Sequence, residues 1–262
     1  MRVDGSSTKL YFALALSITT LALLPAVLAV AGVLSGSADD YMAGAPIAIF
    51  GPTIAACVAS AREGGRAAVR KLLSGLGAGR VGPLWFFVAL GLPTLAYLVA
   101  RALYELLPGD DGGPWFWPPG DAQHVVGAVL VPIGEEIGWR GYALPRLIAR
   151  FGPLRASLLL GGLWGVWHLP MFIAVGTTDP AYYALMVPYF LAGSVMFTWL
   201  YQRTNGSLLL AVLLHVGAHL SNPGQSPELT PTAISTFAYV ALALGLVAFD
   251  RPAFRRAPES SA

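Results

Sequence analysis

The sequence predicts an all-α, polytopic integral membrane protein of about eight transmembrane helices. Three observations carry that prediction. First, 56% of the 262 residues are hydrophobic and only 11% are charged, with a mean hydropathy of +0.64, whereas a soluble domain carries roughly a quarter charged residues. Second, apolar runs near the roughly 20 residues needed to cross a bilayer core recur along the chain. Third, the basic residues collect in alternate connecting segments, as cytoplasmic loops require. The same numbers exclude disorder. A net charge of +2 with no dense basic tract disfavours nucleic acid. The string GAGRVG near residue 77 follows no strand and does not match GxGxxG, so no nucleotide partner is expected.

The expected spans are Leu10–Leu34, Tyr41–Ala61, Leu84–Leu107, Ala122–Leu147, Ala156–Val175, Tyr182–Tyr201, Ser207–Ser221 and Thr232–Phe249. The first follows Arg2 and Lys9 like a secretory signal, but it is longer than a signal h-region of roughly 7–15 residues and reads as a retained helix. Polar residues, prolines or shortness weaken the fourth, sixth and seventh. With both termini cytoplasmic in a plasma-membrane protein, 15 of the 16 basic residues fall on the inner side, leaving Arg101 outside. Asp39, Asp40, Glu105, Asp110, Asp111, Asp121, Asp179 and Glu228 fall outside. Residues 62–83 read as a basic, glycine-rich linker touching anionic lipid headgroups. In the loop 108–121, Trp115, Phe116 and Trp117 read as an interfacial anchor. The chain reads as one membrane domain, 1–262, with a loose tail at 250–262. The lone Cys57 excludes an intrachain disulfide and a cysteine metal site.

Ionisable groups at membrane depth are expensive and usually functional. The fourth span carries Glu135 and Glu136, then Arg140. Glu136 and Arg140 are one helical turn apart and can pair. Glu135 points about 100° away and is left for chemistry. Pro132 and Gly134, just before the pair, are expected to loosen the helix. His168 lies in the fifth span; His215 and His219 share one face of the seventh, with Asn222 continuing it. His124 reads as incidental. Such a cluster can activate a water, with side-chain donors stabilising the oxyanion formed on attack at an amide. It can equally form a zinc shell from Glu135, His168, His215 and His219. The metal reading stays open beside a metal-free one; HExxH and Gly-x-Ser-x-Gly are both absent.

EEIGWRGYALPRL resembles the EExxxR motif of the CPBP family, which includes the type II CAAX prenyl endopeptidases and bacteriocin-processing proteins. Trp164…His168 looks like the second family motif with Trp in place of the usual Phe. His215-x3-His219 looks like the third, where the family has Asn or Asp at the last position. The resemblance covers about residues 120–222 in the family's motif order. It implies an intramembrane endopeptidase whose cavity opens to the cytoplasmic side. The implied catalytic set is Glu135, Glu136, His168, His215 and His219. Glu135 would be the base, His168 would position water, and His215 with His219 would donate to the oxyanion, supported by Arg140 and Asn222. No cofactor is required on that reading, with zinc as the alternative.

The partner expected is a peptide or protein substrate in or at the lipid bilayer. The Ala-, Gly- and Arg-rich usage suggests a GC-rich bacterial gene, where prenylated tails are not expected. The competing functions are a non-catalytic membrane adaptor or immunity protein on the same fold, supported by His219, and a proton-coupled transporter.

Overall fold

The computed structural model describes residues 5–77, 81–107, 115, 122–221 and 228–255, with the side chains of 122–124 left out. Asn222, Phe116 and Trp117 lie outside the described residues, as does the tail from 256. The described residues form helices and turns, with no strand. The α-helices are α1 (Gly5–Val30), α2 (Ala45–Ser74), α3 (Leu84–Tyr104), α4 (Ala122–Glu136), α5 (Leu144–Phe151), α6 (Pro153–Ala174), α7 (Pro180–Arg203), α8 (Leu208–Ser221) and α9 (Leu229–Phe249). Short 3-10 turns at Ala38–Gly44 and Arg251–Phe254 flank them.

Among the described residues, six segments are long and apolar enough to cross a membrane: those carrying α1, α2, α3, α6, α7 and α9. α4 and α8 fall short as single helices, with 15 and 14 residues. The molecule is an all-α polytopic membrane protein. Many large apolar side chains point outward, among them Phe87, Leu95, Phe237 and Leu244, as expected where the surrounding solvent is lipid.

Three segments differ from expectation, each for a local reason. Residues 62–74 are not linker but the continuation of α2, interrupted at Gly64 and Gly65. Gly65 has φ +59° and ψ −153°, a conformation open to residues without a Cβ; the Ala-, Arg- and Leu-rich stretch beyond it favours helix. The tail from 250 begins as a turn that buries Ala253 and Phe254 against Ala192, Val195 and Ala243.

The third difference lies in the fourth span. The helix is not loosened before the glutamates but after them, where Ile137–Ala143 is π-helical. There the Leu144 N–H reaches the Trp139 carbonyl, five residues back. The wider turn lets Trp139, Arg140 and Tyr142 all point inward, each fully buried. Close packing on α2 requires glycine here. A Cβ on Gly138 would lie 2.5 Å from the Pro52 carbonyl oxygen. Thr53 completes the seam, donating to the Gly134 carbonyl at 2.7 Å.

The helix ends gather on two opposite faces. On one, Glu63 of α2 binds Tyr142 (2.8 Å) and Arg146, Trp85 at the start of α3 packs on Trp199 of α7, and Asp250 binds Arg203. The end of the short helix α8 stops level with the middle of α3, where Thr94 shares a 2.7 Å hydrogen bond with Ser221.

Candidate active site

The two adjacent glutamates have different fates because they leave the helix in different directions. Glu136 is fully buried. Its Oε1 accepts from Arg140 Nη1 at 2.7 Å and from His215 Nδ1 at 2.8 Å. The i,i+4 pair read from the sequence is therefore present, and a histidine from α8 joins it. The rest of the Arg140 guanidinium lies over Phe197, 3.7 Å from the ring centroid, and over Trp164 at 4.4 Å. Cation–π contact takes the place of further acceptors, since Arg140 Nε and Nη2 have no hydrogen-bond partner among the described residues.

Glu135 takes no part in that knot. Its Oε2 accepts from Trp164 Nε1 at 2.8 Å, and its side chain lines a cavity of about 300 Å³. His168, His215 and His219 line the same cavity, with aromatic and aliphatic walls from α6, α7, α8 and α9. Glu136 and Arg140 lie behind its wall. Four of the five residues expected to be catalytic thus share one space, and the fifth anchors that space from behind.

The histidines are oriented by their partners. His168 Nδ1 lies 2.8 Å from the Trp164 carbonyl, which can only accept, so Nδ1 carries the proton and Nε2 is bare in the neutral ring. His215 Nδ1 faces a carboxylate oxygen already held by Arg140, which assigns it the same tautomer. A neutral His215 therefore offers Nε2 as an acceptor, and it donates there only when doubly protonated. This alters the role implied for it as an oxyanion donor. His219 stacks on His215, with centroids 5.0 Å apart and planes at 26°.

The zinc reading has a specific geometric test. Among the described residues, the donor atoms that converge within 4.8 Å belong to Glu135, Glu136 and His215. His168 and His219, two members of the expected set, are not in that group. Glu136 in turn already binds a cation, the Arg140 guanidinium, through Oε1. The residues present do not assemble the expected four-ligand shell.

Two contributors carried little or no functional signal in the sequence. Trp164 was legible as a motif position one turn before His168, but not as the partner of Glu135. Thr19 has no local motif. Its hydroxyl accepts from Trp167 Nε1 at 2.7 Å and donates to the Ala48 carbonyl at 2.8 Å, tying α6, α1 and α2 at the cavity's edge.

Comparison with known proteins coincides with this geometry. Residues 121–221 match the family described as type II CAAX prenyl endopeptidase Rce1-like. Over that segment the chain is similar to the CAAX-protease family. Among curated proteins, CAAX prenyl protease 2 of Methanococcus maripaludis is 25% identical over 133 residues. The alignment covers 48% of this chain and 49% of the relative, so the chain spans about half the length of the relative it matches. The matched segment holds α4, the π turn and α5 to α8, which supply Glu135, His168, His215 and His219 of the cavity. The matched segment contains the glutamate pair that is divided here between a cavity-facing and a buried carboxylate.

Proposed function

We propose that the protein is an intramembrane endopeptidase that hydrolyses a peptide bond of a membrane-associated substrate. One observation carries this reading: a buried carboxylate, Glu135, fixed by an indole N–H, shares an apolar cavity with His168 and His215. Glu135 takes a proton from a water as that water attacks the scissile carbonyl, then returns it to the leaving amine. The bare Nε2 atoms of His168 and His215 are acceptors suited to orienting that water. His219, on the cavity wall, donates to the developing oxyanion. Trp164 holds one carboxylate oxygen, while the Glu136–Arg140 pair fixes the ring of His215.

The proposed setting is a plasma membrane with both termini cytoplasmic, and the substrate class is a peptide lodged in or against the bilayer. The deciding experiment is cleavage of membrane-peptide libraries by the purified protein in proteoliposomes, with fragment sequencing, with and without chelator. Cleavage by wild type, its loss in Glu135→Gln and its persistence after exhaustive chelation are expected. Equal turnover by Glu135→Gln overturns the assignment of the base, and activity lost to chelator and restored by zinc overturns the metal-free route. An adaptor function retained in a cleavage-dead Glu135→Gln protein would replace the enzymatic reading.

A further inference from the structure

We infer that Gly193 of α7 opens a notch in the cavity wall that seats a large apolar side chain of the substrate beside the scissile bond. This substrate preference rests on the endopeptidase reading above. Gly193 lies in the interior of α7, is buried, and lines the cavity. Glycine weakens a helix interior relative to alanine, because more backbone freedom is lost on folding. Two common reasons for it are a left-handed backbone and a close approach by a neighbouring helix. Neither holds at this position. The backbone of Gly193 is helical rather than left-handed. A Cβ on Gly193 would lie 3.6 Å from Trp164 Cζ3, an ordinary contact, with no other atom of a neighbouring helix within 4 Å among the described residues.

Two glycines that face α7 from α6 show the contrast. A Cβ on Gly161 would come 2.9 Å from the Leu191 Cα and from the Phe190 carbonyl oxygen, and one on Gly165 would come 3.2 Å from the Phe190 ring. Those two let α6 and α7 close on each other. Gly193 leaves room that no neighbour fills, and because the residue is buried and lines the cavity, that room belongs to the cavity. The wall around it is bulky. Tyr189, Phe190, Met196 and Phe197 lie three or four residues away on the same helix face and line the same space. Gly193 is thus a gap one side chain deep in an aromatic and thioether wall. Its far side is the benzo edge of Trp164, and Nε1 of the same indole donates to Glu135 at 2.8 Å. The gap therefore lies one indole away from the proposed base, next to the bond under attack. The four flanking side chains carry no charge, so a charged substrate residue would lose its hydration there without a partner. A leucine-, methionine- or phenylalanine-like residue would instead bury its apolar surface against them.

The test compares Gly193→Ala and Gly193→Val with wild type, as full chains in proteoliposomes supplied with membrane-peptide libraries. Fragment sequencing reads the residues that flank each cut. Wild type is expected to cut beside large apolar residues. The ratio of kcat/KM for leucine-flanked over alanine-flanked sites should fall about tenfold in Gly193→Ala, as for one extra carbon in an apolar pocket, and further in Gly193→Val. Thermal unfolding in detergent reads the open space without any substrate. Gly193→Ala should unfold at or above the wild-type temperature, and Gly161→Ala below it. A Gly193→Ala protein as destabilised as Gly161→Ala makes Gly193 a packing residue and overturns the notch. Cleavage by wild type with no preference for large apolar flanks, or with a preference unaltered in both Gly193 variants, overturns the notch and leaves the protease reading standing. Wild-type protein that cleaves no peptide overturns the endopeptidase reading, and the substrate preference with it.

Discussion

Two ion pairs in this molecule use the same chemistry in opposite surroundings. In the interior, Glu136 and Arg140 have side chains fully removed from solvent, and His215 completes the set. At the end of the bundle, Arg203 pairs with Asp250 with side chains 40% and 21% exposed, and Trp199 Nε1 donates to the same carboxylate at 2.7 Å. Water and salt can replace either partner of the outer pair, so its loss is shared with solvent. Nothing can replace a partner of the inner pair, so removing one leaves a bare buried charge. The inner knot is therefore obligatory architecture, and the outer pair is a modest clamp between α7 and α9.

The largest effect is expected from breaking the inner knot. Arg140→Ala leaves Glu136 uncompensated and removes the cation from Phe197 and Trp164, a loss of about 3–5 kcal/mol. Folded yield and thermal unfolding in detergent should show it as a near absence of stable protein. Glu135→Gln sharpens the comparison because Glu135, its sequence neighbour, carries no ion pair. It should leave the unfolding temperature close to wild type and lower peptide cleavage by about 10²–10⁴-fold, the usual contribution of a general base. A collapse of stability in this variant would merge the two glutamates into one structural unit.

Trp164→Phe keeps an aromatic ring beneath Arg140 and removes the hydrogen bond to Glu135. It should lower kcat by about tenfold, the equivalent of a bond to a charged group of roughly 1.5 kcal/mol, with KM little changed. A rise in KM alone would make Trp164 a wall of the cavity rather than the support of its carboxylate.

The smallest effect belongs to the outer pair. The Arg203 side chain, then Trp199, holds the Asp250 carboxyl below its ordinary range. A carboxylate lowered in the folded state contributes stability above its unfolded pKa, near 3.9. That contribution is lost as pH falls through the folded value. Asp250→Asn should therefore cost only about 0.2–1 kcal/mol at neutral pH, should matter less in high salt, and should make no difference at the acid end. Unfolding followed at pH 7 and near pH 3 checks both the size and the sign.

Much of this was legible along the chain because it depends on local rules. Apolar runs located most helices to within a few residues, the far end of α2 and the broken fourth span excepted, since a bilayer imposes a length that composition reports directly. The Glu136–Arg140 pair was readable because one helical turn places its members on one face. The same rule separated Glu135 from it. Tertiary packing alone decided that His215, from α8, would share Glu136, and that the Trp164 indole would reach Glu135 from α6. It also placed the irregular turn after the glutamates, because Gly138 must meet the Pro52 carbonyl of α2, a contact between residues 86 positions apart. Composition and period determine which segments enter the membrane. Which side chains meet there is decided by helix-to-helix packing, because those contacts join residues that share no local pattern.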